Sequence, residues 1–268
     1  MSTISNYLDL ARLSVKTRVG YRFDFIAGSV GIILSNLINL GLILILTLQF
    51  KTLLGWNFWE LVFMYNFWLF GHGFYSTFFR NIENLQTLVV SGDFDKLLVK
   101  PVNPLVQLIG SQFYFYGAGD WIISGTMLIL AYFQLNLSWG PVELAFFLIS
   151  IPTAFLIETA LSLILASLAF WLNKTEGLNW LVFQFNYGLT QKYPIDIYFP
   201  GFQVILTFIF PFAFMNYFPG VVLLGRMGDK VLFAPWVHFI GPLVAVVFCA
   251  VALIIWNRGI RVYKSSGS

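Results

Sequence analysis

Residues 25–50 carry no charged side chain. A run of that length matches what an α-helix needs to cross the hydrocarbon core of a bilayer, about 20 apolar residues at roughly 1.5 Å each. Water cannot pair backbone groups at that depth, so such a run closes its own hydrogen bonds as a helix. The same reading applies to 58–79, 105–133, 142–172, 202–224 and 236–256, each bounded by polar breaks. The chain is 59% hydrophobic and only 10% charged, where a soluble domain averages about 25% charged. The expectation is an all-α polytopic membrane protein of one domain, 1–268, with six transmembrane helices. Thirty Phe and nine Trp suit lipid-facing surfaces and interfacial belts.

Two stretches fit the spans less simply. In 1–24, Tyr7, Leu8, Ala11, Val15 and Val19 recur at helical spacing among Arg12, Lys16, Arg18 and Arg22. This predicts an amphipathic helix in the membrane interface. The stretch is too polar for a signal-peptide core, so no cleaved targeting segment is expected. In 177–199, Asn179, Gln184, Asn186, Gln191 and Lys192 interrupt the apolar residues. That makes a poor span and a better interfacial elbow ending at Pro194. Pro211 and Pro219 predict a kink or break in 202–224. With six spans and both termini inside, Lys and Arg divide roughly 12 to 3 in favour of the inner side.

That topology puts the polar stretch 80–104, between the second and third spans, on the inner side. Gly92 is a natural break after a first helical turn, and Asp93 an N-cap for a second. Phe94, Leu97 and Leu98 fall on one face, with Asp95 and Lys96 off it. Pro101 disfavours helical geometry at Lys100 and stops the helix. Pro104 stiffens the return to the membrane. The expectation is a short amphipathic helix, rigidly tied to the third span, whose apolar face no neighbouring segment is obliged to cover.

The sequence lacks a Gly-x-x-x-x-Gly-Lys-Ser/Thr loop, a His-Glu-x-x-His pair and a Gly-x-Ser-x-Gly elbow. An enzyme is not expected, and a single cysteine, Cys249, allows no disulfide or cysteine-based metal site within the chain. Three ionisable side chains lie at membrane depth: His72, Asp120 and Glu158. Such groups are costly there and face a cavity or a partner. Either they line a polar substrate route, or they lock helices together, the commoner use of polar residues in bundles. His72 sits between Gly71 and Gly73, which permit close helix approach.

The stretch Gly92-Asp93-Phe94-Asp95-Lys96-Leu97-Leu98-Val99-Lys100-Pro101-Val102 resembles the Gly-Thr-Leu-Glu-x-Leu-Leu-Val-x-Pro-Val pattern of ABC-2 type transporter permeases. Asp93-Phe94-Asp95 replaces Thr-Leu-Glu and keeps the acid in place. Tyr193-Pro194-Ile195 and Ile209-Phe210-Pro211-Phe212 with Pro219 are similar to the six-span bacterial branch of that superfamily. The resemblance implies that the loop helix is a cytoplasmic coupling helix, with Asp93, Phe94, Asp95, Lys96, Leu97, Leu98, Lys100 and Pro101 meeting an ABC ATPase subunit. It implies two permeases, this chain twice or with a paralogue, and two ATPases that hold ATP and Mg. It implies export across the bacterial cytoplasmic membrane, no cofactor in this chain, and re-entrant helices before the last span. No nucleic-acid partner is expected. The rival readings are an ion-coupled secondary transporter running through Asp120 and Glu158, and a membrane scaffold without transport.

Overall fold

The computed structural model describes residues 22–50, 52–53, 55–172, 175–227 and 232–264. It is 79% helical, with no strand among the described residues. The interfacial helix expected over 1–24 lies, but for its last three residues, outside them. In chain order the helices are α1 (Arg22–Phe50), α2 (Phe58–Phe78), α3 (Leu85–Ser91), α4 (Asp95–Leu98) and α5 (Pro104–Gly110). They continue with α6 (Ala118–Gln134), α7 (Pro141–Ser167), α8 (Glu176–Phe185), α9 (Pro200–Val204), α10 (Tyr217–Leu223) and α11 (Gly241–Val262).

α2 is the axis of the molecule. It is buried on nearly every side, Phe63 and Phe67 completely. Asn57 starts it with a capping box: its side chain accepts from Glu60 N–H at 3.0 Å, and Glu60 accepts from Asn57 N–H at 2.8 Å. α6 and α7 pack along it, and glycines bring them close. A methyl group on Gly71 would sit 3.2 Å from Ala154 Cβ on α7. At Gly73 it would overlap the Trp121 ring on α6. The expected close approach around His72 is therefore observed.

Three helices are long and apolar enough to cross a membrane: Ile26–Phe50, Pro141–Phe170 and Gly241–Val262. A bent pair, Pro200–Ile209 with Phe212–Leu223, would make a fourth if it were one span. α2 is not among them because it carries Asn66, His72 and many Trp and Tyr, which its neighbours screen. The expected third span, 105–133, is broken: α5 ends at Gly110 and α6, 17 residues long, begins at Ala118. Helix α7 runs through Pro152 without ending. The last helix begins at Gly241, after a 3-10 turn over Pro235–Phe239.

The elbow expected at 177–199 is corrected. Helix α8 and its π-turn continuation, Asn186–Thr190, run the depth of the bundle. At one end Thr175 Oγ1 donates to Gln86 Oε1 on α3, at 2.5 Å. At the other, Trp56 Nε1, just before α2, donates to the Asp196 carboxylate at 3.0 Å. These contacts lie beyond opposite ends of α2. Of the polar residues that made a poor lipid-facing span, Asn186 and Gln191 are buried, Lys192 is half-buried and Gln184 stays exposed; Asn186 accepts from Gln191 and from the buried Thr190 inside the protein.

The expected fifth span, 202–224, is corrected with it. The chain bends by 75° at Phe210-Pro211. Asp196 before the bend and Arg226 after it both meet Trp56, the Arg226 guanidinium 4.0 Å above the indole. The segment therefore dips into the bundle and returns to the side it left. Phe212, Ala213 and Phe214 at its tip are buried, and Asn216 Nδ2 donates to Thr190 O at 2.9 Å.

Candidate functional site

Two regions hold the residues singled out from the sequence. The first is the loop 80–104. Gly92 ends α3 in the left-handed conformation, φ 79°, as expected for a C-terminal glycine. Asp93 does not cap the next helix through backbone N–H groups; its carboxylate accepts from Lys96 Nζ at 2.6 Å and from Ser91 Oγ at 3.0 Å. The Lys96 hydrogen bond holds the Asp93 carboxyl below its ordinary range, and Ser91 adds to it. In return, Asp93 raises the Lys96 ammonium.

Phe94 corrects a central expectation. It is 0% exposed. Its ring meets Phe170 at 5.2 Å, Tyr263 at 5.1 Å and Trp256 at 6.1 Å, all edge-on. This is a second, smaller core at the loop end, built from the ends of α7 and α11. Gly259 on α11 makes room for Phe170, which a methyl group there would strike. Leu97 packs against the same core. The outward apolar residues are Leu98, 40% exposed, Val99, 85%, and Val90, 58%. Burying a ring of about 150–250 Å² outweighs presenting it to water, so Phe94 points inward and the helix rolls Leu98 outward. Lys100 and Pro101 are exposed at the turn that follows, and Asp95 opens α4.

The stiff tie to the third span is also corrected. Ser111 to Tyr114 separates α5 from α6 without helix. The loop is braced instead by Gln107, whose Nε2 donates to Leu97 O at 2.8 Å and Val102 O at 2.6 Å. Asn103 caps α5, accepting from Leu105 N–H at 2.9 Å. The Asn103-Pro104 pair is a legible helix start; the reach of Gln107 across ten residues is not.

The second region lies at the depth of the helices. His72 Nδ1 is 2.9 Å from Glu158 Oε1, which also accepts from Tyr187 OH at 3.1 Å. The contact joins α2, α7 and the continuation of α8. Asp120 on α6 accepts from Asn36 Nδ2 of α1 at 2.9 Å; Tyr65 OH donates to Asn36 Oδ1 at 2.6 Å, and Asn39 Nδ2 donates to that hydroxyl at 3.2 Å. Each acid thus ties helices together through a neutral donor or His72. The two networks border one cleft of about 230 Å³, which Asn36, Asn39, Tyr65, Trp68, His72 and Asp120 line. Arg80 stands at its loop end and Lys192 in its far half. The structure thus brings His72 and Asp120 into one wall, with Glu158 just behind it. Both earlier readings meet here: the acids lock helices, and the locked surface borders a cleft.

Tyr187, Tyr65 and Lys192 were not singled out from the sequence. Tyr187 and Lys192 belong to the stretch taken for an elbow, and Tyr65 reads as one aromatic among many. Asn36 and Asn39 are polar residues within the apolar run 25–50, and such residues face other helices rather than lipid.

No curated protein and no solved structure matches this chain. The family model described as ABC-2 family transporter protein matches residues 33–267. That range takes in both regions, the bent segment and the last helix, so the chain belongs to the ABC-2 family of transporter proteins.

Proposed function

We propose that the chain is the membrane subunit of an ATP-driven exporter, working as a pair of permeases with two separate ATPases. The observation that carries this reading is the polar cleft that α1, α2 and the continuation of α8 border. Amide, carboxylate and imidazole groups line it at a depth where lipid offers no hydrogen bond. A second permease copy set against α1 and α8 would cover the cleft and turn it into a path. α1 suits that contact: Leu34, Ile38 and Ile45 are exposed along it.

The bundle depth is traversed by 22–50, 58–78, 104–134, 141–170, 176–196 and 241–262. Six traverses keep both ends on one side. Lys192 moves to the outer side, and the division of Lys and Arg becomes about eleven to four. The inner side then carries loop 80–104, where Val90, Leu98 and Val99 supply the apolar contact with the ATPase. Asp93, Lys96 and Lys100 orient it through charge. Closure of the ATPases would push this loop. The push passes through Phe94 into α7 and α11, and rigid-body motion of the bundle opens the path.

The test is co-purification. The full chain, expressed with an ABC ATPase encoded beside it, should retain that ATPase in detergent and move substrate only when ATP is hydrolysed. Transport driven by an ion gradient without any ATPase would refute the reading.

A further inference from the structure

Helices α6 and α7 border a groove of about 310 Å³ near the turn that joins them. Its lining runs from Phe63 of α2, fully buried, to Ile129 and Phe133 of α6, 60% and 69% exposed. The groove therefore opens on the perimeter of the bundle and reaches in to its axis. Ile122, on the same face of α6 as Ile129, and Leu144 and Leu148 on α7 are exposed as well. α7 is one of the helices long and apolar enough to cross a membrane, so this perimeter meets hydrocarbon. Among the described lining residues none carries a charge. Trp139 spends its Nε1–H on Leu223 O at 3.0 Å, and the only other polar group in the lining is the Tyr132 hydroxyl.

Ring contacts hold the groove's wall in place. Trp139 meets Tyr132 at 5.1 Å, Phe147 at 5.3 Å and Phe63 at 5.9 Å. Apolar walls left without a neighbour forfeit dispersion contacts, and water finds too few polar partners between them. What fits is apolar and thin. One turn of an α-helix, about 10 Å across and 5.4 Å tall, already takes up roughly 400 Å³, more than the groove holds. A single hydrocarbon chain is narrow enough. The turn at the groove's end exposes Gln134, Asn136 and Ser138. Glu143, the one charged residue between 134 and 143, accepts from Gly140 N–H at 2.9 Å. A headgroup at this turn meets neutral polar groups and one carboxylate, so nothing there favours an anion. Phe63 lies near the start of α2, whose other end leads into loop 80–104. We infer that the groove is a lipid site. It seats one acyl chain of a phospholipid from the leaflet away from loop 80–104, and it holds the lipid by the chain rather than by the headgroup. The site goes beyond the transport reading and does not depend on it.

The experiment uses the purified full-length chain in a neutral detergent, loaded with dioleoyl phosphatidylcholine and then washed. Phospholipid bound per chain is counted by native mass spectrometry. The parent should retain one molecule per chain. Ile129→Trp, which plugs the mouth, should lower retention about tenfold, the worth of roughly two methylenes kept out of the groove. Val246→Trp, the same added bulk at an exposed position of α11, should leave retention unchanged. Dioleoyl phosphatidylglycerol should be retained no better than phosphatidylcholine. Phosphatidylcholine with brominated chains should quench the tryptophan fluorescence of the parent, and much of that quenching should vanish in Trp139→Phe. No lipid on the parent, equal retention by the parent and Ile129→Trp, or a strong preference for phosphatidylglycerol would overturn the assignment. Quenching as strong in Trp139→Phe as in the parent would place the lipid elsewhere and overturn it too. An Ile129→Trp variant that keeps its lipid but separates a dimer would give the groove to a second copy of the chain.

Discussion

Phe94 shows how one residue changes the meaning of a motif. Its spacing with Leu97 and Leu98 predicts an apolar face, and the spacing is correct. Which side of that face turns outward depends on Phe170, Trp256 and Tyr263, residues 76 to 169 positions away along the chain. Phe94→Ala should therefore act first on the permease itself. Truncating a fully buried ring costs about 3–5 kcal/mol, so the purified variant should melt well below the parent in detergent. Unchanged melting would show that the ring is not part of the core. Glu158 invites the opposite expectation. Glu158→Gln keeps an oxygen for Tyr187 and a group facing His72, so assembly and most transport should survive with slightly lower thermal stability. Complete loss of transport with assembly intact would place Glu158 among the groups that handle substrate.

The loop 80–104 works as an element because it is braced on two sides. Phe94 anchors it to α7 and α11, and Gln107 lashes its backbone at Leu97 and Val102. Its outward face is then free for a partner. Replacing Leu98 and Val99 together by Ser should weaken ATPase retention by about 2 kcal/mol or more if they are anchors, leaving the melting temperature of the isolated chain in place. ATPase retention at parental strength would remove these two from the contact. Gln107→Ala takes away two hydrogen bonds worth about 1 kcal/mol each. It should leave the ATPase bound but lower the transport obtained per ATP hydrolysed, measured on the reconstituted complex. Equal coupling in parent and variant would mean that the brace does not transmit force. Proline stiffness was legible in this loop; the glutamine that closes it was not, because a bond to a backbone carbonyl ten residues away leaves no periodic mark.

At the scale of the whole molecule, the topology proposed above turns on the traverse at 176–196 and the dip at 200–223. Reporters placed near Tyr193 and near Met227 should fall on the same side of the membrane, opposite one placed after Ser268. A reporter near Tyr193 that shares the side of Ser268 would restore the elbow and undo the path along α8. The exchange between these two segments follows from screening. Thr190 and Gln191 donate to Asn186, and Asn216 donates to the Thr190 carbonyl, inside the protein, so a polar segment can run through the bundle. The greasier one bends at Pro211 and tucks its Phe-rich tip into the core.

Hydropathy along the chain was enough to declare a helical membrane protein, because an uncharged run the length of a bilayer admits few other states. The residues around Gly92 and Pro101 were enough to mark the family, and the break at Gly92 was legible because a left-handed turn favours glycine. The pairing of His72 with Glu158, the Asn36–Asp120 bond and the inward turn of Phe94 came only with the packed helices. Each joins positions far apart in the chain, and a helical period says which face is polar without saying which helix will meet it. The same holds for the two segments that changed roles. Whether a polar side chain excludes a helix from the bilayer depends on whether another helix stands between it and the lipid, and that is a property of the assembled bundle.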